Sequence, residues 1–239
     1  MRRVHTSTRN LLVTLAVAVL AATSLGLVSA GASTPTSSTL LRTTLHDAAL
    51  GRWVHESGTF RSKGAVAFTF TNIIGTTEGT QSVRFPDGAT ATNIDFPSEH
   101  RAYVYGNLKG LAGYMQMSAA AASKYANKWL EILPANPQYA NVVNATTLGS
   151  DFSQTDLTNP TLGPITTLSG VRVRVINATE PTGSTPATAH VTLYVSLSAK
   201  PLPYKMVETA GTLQRTVSWS KWGQATVLHA PTVTVPYPG

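Results

Sequence analysis

The chain has 239 residues, of which 42% are hydrophobic and 12% charged; it contains no cysteine and carries a formal net charge of +7. Soluble domains hold about a quarter charged residues, and here Thr, Ser, Ala, Gly and Asn fill the shortfall, a mixture that suits a β-rich exported protein and excludes wholesale disorder, a coiled coil and a collagen-like chain. Without cysteine there is no disulfide scaffold, thiolate metal site, Cys nucleophile or Fe–S cluster, and none of the lipid-bearing cysteine of a bacterial lipoprotein, so no covalent lipid anchor is expected.

The first thirty residues read as a secretory signal peptide. Arg2, Arg3 and Arg9 form a basic start, Leu11 to Leu27 is an apolar run with small residues, and Val28-Ser29-Ala30 offers small side chains where a signal peptidase reads them. Cleavage after Ala30 removes three arginines and no acid, which lowers the formal charge from +7 to +4. The remaining basic residues are scattered, without an aromatic-interleaved patch, so no nucleic-acid partner is expected. Residues 31–38 (GASTPTSS) have the composition of a flexible linker.

A single domain is expected over 39–236. Leu40, Leu41, Leu45, Ala48, Ala49 and Leu50 fall at helical spacing, with Ser37 or Ser38 as cap and Gly51 as stop. From Trp53 to Tyr105 the apolar period changes to two: Val66, Phe68 and Phe70 alternate with small or polar residues, and Pro86-Asp87-Gly88 and Pro97-Ser98-Glu99 mark turns. That predicts a meander of about five antiparallel strands. Residues 107–127 are Ala-rich and helical, made irregular by Gly110 and Gly113, with Ser118 capping a second segment. Lys128 to Leu133 returns to strand, a short helix starts near Pro137, and Asp151 to Leu157 is a further helical candidate.

After Pro164 the pattern is β again: Val171 to Val175, Val191 to Leu197, Tyr204 to Thr209, Leu213 to Trp222 and Val227 to Val235. With no βαβ alternation, the fold class is α+β: a large, strongly curved antiparallel sheet, an unclosed half-barrel, covered by a few short helices. One sheet face is expected to carry Phe68, Phe70, Tyr103, Val173, Val191 and Leu193. The few helices leave two outcomes open, an apolar cavity between sheet and helices or a filled core.

Catalytic constellations are not found. G-x-S-x-G is absent, and Ser218-Trp219-Ser220-Lys221 fits S-x-x-K only within an expected strand, with no K-T-G after it. The histidines at 5, 46, 55, 100, 190 and 229 lack metal-ligand spacing, and His55 and Glu56, adjacent on a strand, point to opposite faces. No metal, cofactor or enzymatic activity is expected. Glu131 and Glu208 lie within strands, where solvent exposure or ion pairing outweighs a glycosidase role. Trp129, Trp219 and Trp222 invite sugar stacking, but tryptophan on a strand more often anchors a core.

Tyr103-Val104-Tyr105-Gly106, a helical insert, then Ser123-Lys124-Tyr125-Ala126-Asn127-Lys128-Trp129 resembles a pattern of actinobacterial exported proteins. The Ala189–Leu197 strand, the Lys200-Pro201-Leu202-Pro203-Tyr204 break and Ser218-Trp219-Ser220-Lys221-Trp222-Gly223 are similar too. The family is that of LppX/LprG-like lipoproteins in the LolA/LolB half-barrel superfamily, and the resemblance covers roughly residues 40–230. It implies a bent, unclosed sheet wrapped around helices and a hydrophobic cavity for acyl chains. The resulting expectation is a secreted cell-envelope protein that binds or carries a lipid or other amphiphile without catalysis, in peripheral contact with a membrane or envelope protein. The expected ligand-lining residues are Phe68, Phe70, Val83, Tyr103, Tyr105, Val173, Val191 and Leu193. The alternative is a cell-envelope interaction or sensor domain with a filled core.

Overall fold

The computed structural model describes residues 35–148, 152, 156–181 and 188–238. The expected signal peptide lies outside these residues, as does most of the candidate helix at 151–157. Helix α1 spans Ser37–Ala49 and is capped by Thr36, whose hydroxyl accepts from the Thr39 N–H at 3.2 Å. The cap is therefore one residue before the expected serines, and α1 takes in Ser37 and Ser38 from the expected linker. Leu41, Thr44 and Ala48, spaced three and four apart, form its buried stripe.

The expected meander is present as β1 (Trp53–Ser62), β2 (Ala65–Gly75), β3 (Gly79–Arg84), β4 (Thr90–Phe96) and β5 (Arg101–Gly106). Gly64 and Gly88 turn its first and third hairpins at positive φ, where a side chain would strain the backbone. Then come α2 (Leu108–Gly113), α3 (Ala119–Tyr125), β6 (Leu130–Ile132) and α4 (Gln138–Asn144). Asn107 and Ser118 cap α2 and α3 through their side-chain oxygens. The second β run is β7 (Thr158–Leu168), β8 (Val171–Pro181), β9 (Thr188–Ser196), β10 (Pro203–Ala210) and β11 (Leu213–Ser220).

The twelve strands among the described residues join one sheet in the order β12-β6-β5-β4-β3-β2-β1-β11-β10-β9-β8-β7, where β12 is Val235–Pro236. Every pair is antiparallel except β12 with β6. The two meanders meet in the middle, where β1 pairs with β11 over eight residues. Two expectations are corrected. β7 begins ahead of Pro164 and contains both Pro160 and Pro164, which an edge strand tolerates because one side of its backbone has no ladder to supply. The strand expected over Val227–Val235 does not form; residues 221–234 lie outside the ladders. They are tied by Gly223 N–H to the Trp53 carbonyl and by contact between His55 Nε2 and Thr226 Oγ1 at 3.2 Å, and Val227 and Val233 are exposed.

One face of the sheet is covered by helices and carries two apolar clusters. The larger joins Leu41 and Ala48 of α1 to Val54, Phe70, Ile74, Val83, Ile176, Val191, Leu193, Val195, Met206, Val217 and Trp219. The smaller joins Ala102, Val104, Leu130 and Ile132 to Leu111, Met115, Ala122 and Val142 of the helical insert. Tyr114 packs against both.

Candidate ligand-binding face

In an antiparallel ladder, directly opposed residues share a face. The registers therefore place Val83, Phe70, Gly58, Val217, Met206, Leu193 and Ile176 in one transverse apolar row across β3, β2, β1, β11, β10, β9 and β8. This row runs on the helix-covered, inner face. Phe68 and Val191 flank it, and Phe68 stacks on Phe60 with ring centroids 5.2 Å apart. Five expected lining residues, Phe68, Phe70, Val83, Val191 and Leu193, are thus brought together.

The other three lie on the outer face. Ala102 and Val104 are the β5 residues that meet the insert, so Tyr103 and Tyr105 point away, Tyr103 edge-on to Phe96 and Tyr105 against Trp129. Val173 opposes Ser196, one residue out of phase with Leu193 and Val195, and the inner positions of β8 are Arg174 and Ile176. Period two in a sequence separates the faces but does not say which one faces the helices, and on these strands both faces are apolar.

Between α1 and β9–β11 lies a cavity of about 30 Å3, lined by Leu45, Phe152, Leu157, Leu193, Pro203, Met206, Arg215 and Trp219. It has room for about one or two waters. The rings of Phe152 stand 5.6 Å from those of Trp219 and Trp222, and Trp222 Nε1 donates to the Pro203 carbonyl at 3.0 Å. Helix α1, Phe152 and Leu157 thus cover the apolar row.

One register step from the apolar row the chemistry changes. Asn93, Gln81, Asn72, Glu56 and Trp219 oppose one another in series across β4, β3, β2, β1 and β11. All but the half-buried Gln81 are buried. The Asn72 amide donates to Glu56 Oε2 at 2.5 Å, Arg215 Nη2 stands 3.7 Å from Glu56 Oε1, and Tyr114 donates its hydroxyl to Gln81 Oε1. Burial holds the Tyr114 phenol up at about 12, so it remains a donor. On the next step, Asp95 is fully buried and accepts from Thr146 Oγ1; desolvation raises its carboxyl to about 7, with Thr146 opposing and Glu78 adding to the shift. Arg215 also opposes Glu208, and burial together with Glu208 raises the Glu180 carboxyl. Sequence inspection missed this polar row, since each strand contributes only one member. Among the described residues no group of three or more His, Asp or Glu is arranged to hold a metal ion. None of their helices is long and apolar enough to cross a membrane.

LprF from Mycobacterium bovis superposes with a TM-score of 0.55 at 13% identity, covering 82% of this chain and 96% of that one. The Mycobacterium tuberculosis lipoprotein LppX superposes with a TM-score of 0.52 at 11% identity, covering 81% of this chain and all of that one. The fold is shared with LprF and LppX. The resemblance read from the Tyr103–Trp129 segment and the Lys200–Gly223 segment is therefore a resemblance of architecture, an unclosed sheet around short helices. Comparison with protein-family models and with curated proteins gives no match.

Proposed function

We propose that the protein is an exported, non-catalytic binder of an amphiphile, and that it holds the ligand's acyl chain along the inner apolar row beneath α1. The observation that carries this reading is the row itself: seven strands contribute apolar side chains or glycine in register, and one thirteen-residue helix with a few side chains beyond it forms their cover. Phe68, Phe70, Val83, Val191 and Leu193 line the site, with Met206 and Trp219 added by the fold. Removing about 500 Å2 of acyl chain from water, at about 25 cal/mol per Å2, contributes about 12 kcal/mol, enough for micromolar retention after an association cost of about 4 kcal/mol. The architecture shared with two mycobacterial proteins supports a place in the cell envelope, and residues 1–30 supply the export signal. Peripheral contact with a membrane or an envelope protein would load and unload the ligand.

Drug-sized ligands occupy pockets of about 300–1,000 Å3, so an acyl chain needs more room than the 30 Å3 cavity gives. Binding requires α1 and the side chains of Phe152 and Leu157 to give way. The same small volume favours a second reading, an envelope interaction domain whose core stays filled. Native mass spectrometry of the protein secreted from an actinobacterial host, followed by solvent extraction, separates the two. A discrete co-purifying lipid supports the binder; a bare mass from a folded sample, unchanged on incubation with lipid, supports the filled core.

A further inference from the structure

The transverse polar row reaches the apolar site at Trp219. Trp219 belongs to both, for it lines the cavity and also opposes Glu56 in the β1–β11 ladder. Its indole Nε1–H is buried and has no hydrogen-bond partner among the described residues; neither has Asn72 Oδ1, two strands away in the same row. Trp219 is 4% exposed and Asn72 6%. Indole nitrogen only donates and an amide oxygen only accepts, so the row offers one donor and one acceptor in a setting where leaving them unmatched is costly. A third buried polar atom, Thr44 Oγ1, comes from the stripe by which α1 packs on the sheet, and it too lacks a partner.

We infer that this row is the polar subsite of the ligand site and selects, through Trp219, an uncharged group with an acceptor oxygen, such as the hydroxyl of a glycerol ester or fatty alcohol. Trp219 Nε1 donates to the ligand oxygen, while the chain lies along the neighbouring row of Phe70, Met206 and Leu193. Anionic groups are rejected. Arg215 lines the cavity, but it already faces Glu56 at 3.7 Å and opposes Glu208 in the ladder, so a carboxylate or phosphate accepting from Trp219 would bring a third anion to two carboxylates and one guanidinium. This inference rests on the binder reading and deepens it.

The test uses the secreted chain and three probes that share apolar character but differ in the polar end: 1-monoolein, oleate, and the hydrocarbon fluorophore diphenylhexatriene. The wild type should bind monoolein at least tenfold more tightly than oleate. Trp219→Phe keeps most of the ring packing and loses the N–H; it should weaken monoolein about tenfold more than it weakens diphenylhexatriene. In the folded wild type, the indole 15N–1H resonance that Trp219→Phe removes should shift with monoolein and stay put with diphenylhexatriene. Equal binding of monoolein and oleate, or an unmoved resonance at saturation, overturns the inference while leaving the binder intact, and identifies the row as a site for water only. Failure of all three probes to bind overturns the binder reading and this inference with it.

Discussion

The ring of Phe70 lies across the backbone of Gly58, its partner in the β1–β2 ladder, where a Cβ on Gly58 would strike the ring edge. A glycine at mid-strand weakens a sheet, and the ring recovers part of that loss by covering the bare backbone. Gly58→Ala should therefore destabilise the protein by about 1–3 kcal/mol through overpacking rather than stabilise it through backbone entropy. Urea denaturation reads the change, and Phe70→Leu in the same chain should return part of it.

Acid should strengthen the fold through Asp95. The carboxyl titrates at about 7 in the folded protein against 3.8 ordinarily. Between those values the folded chain keeps a proton that the unfolded chain has released. The contribution of Asp95 to stability is therefore greatest below about pH 4, falls as pH rises to about 7 and is level above that. Asp95→Asn retains an acceptor for Thr146 and removes the charge. Thermal melts of the variant should show less loss between pH 5 and pH 8 than the wild type, and a higher Tm at pH 8.

Thr36→Ala should loosen the cover. The hydroxyl of Thr36 satisfies the Thr39 N–H at the open end of α1, and such caps are worth about 1 kcal/mol. Hydrogen exchange should accelerate in the first turn of α1 and remain unchanged in β1 and β2. A bound amphiphile should leave the variant faster than the wild type.

Leu193→Ala should enlarge the cavity between α1 and β9–β11. Leu193 is almost fully buried and already lines that space, so the loss should be about 3–4 kcal/mol, combining transfer and cavity costs. Xenon binding by 129Xe NMR should be stronger in the variant than in the wild type.

The five-strand meander and the caps at Asn107 and Ser118 are local patterns. They were legible because period two, turn residues such as Asp87-Gly88 and small polar caps act within a few residues of each other. What escaped the sequence depends on partners far along the chain. Tyr103 and Ala102 look equally suited to a core until β5 is placed under α2, which fixes Ala102 and Val104 as the inner pair. Val227 to Val235 has the composition of a strand but finds no ladder beyond its last residue. Glu56, Asn72, Gln81, Asn93 and Trp219 become one feature only through register, and no single strand hints at it. Trp219 anchors the core, as tryptophan on a strand often does, but its unmatched indole nitrogen leaves no mark in the sequence.

Prolines stand at both margins of the twelve-stranded sheet, Pro160 and Pro164 in β7 and Pro236 in β12. β7 is further broken by two register shifts, and the C-terminal segment occupies the free side of β6. A long sheet with continuous open edges would recruit strands from other molecules and grow into fibres. Here each margin lacks the unbroken series of N–H donors that such growth needs. A chain crowded among its own copies can thus keep a very extended sheet without adding strands from its neighbours.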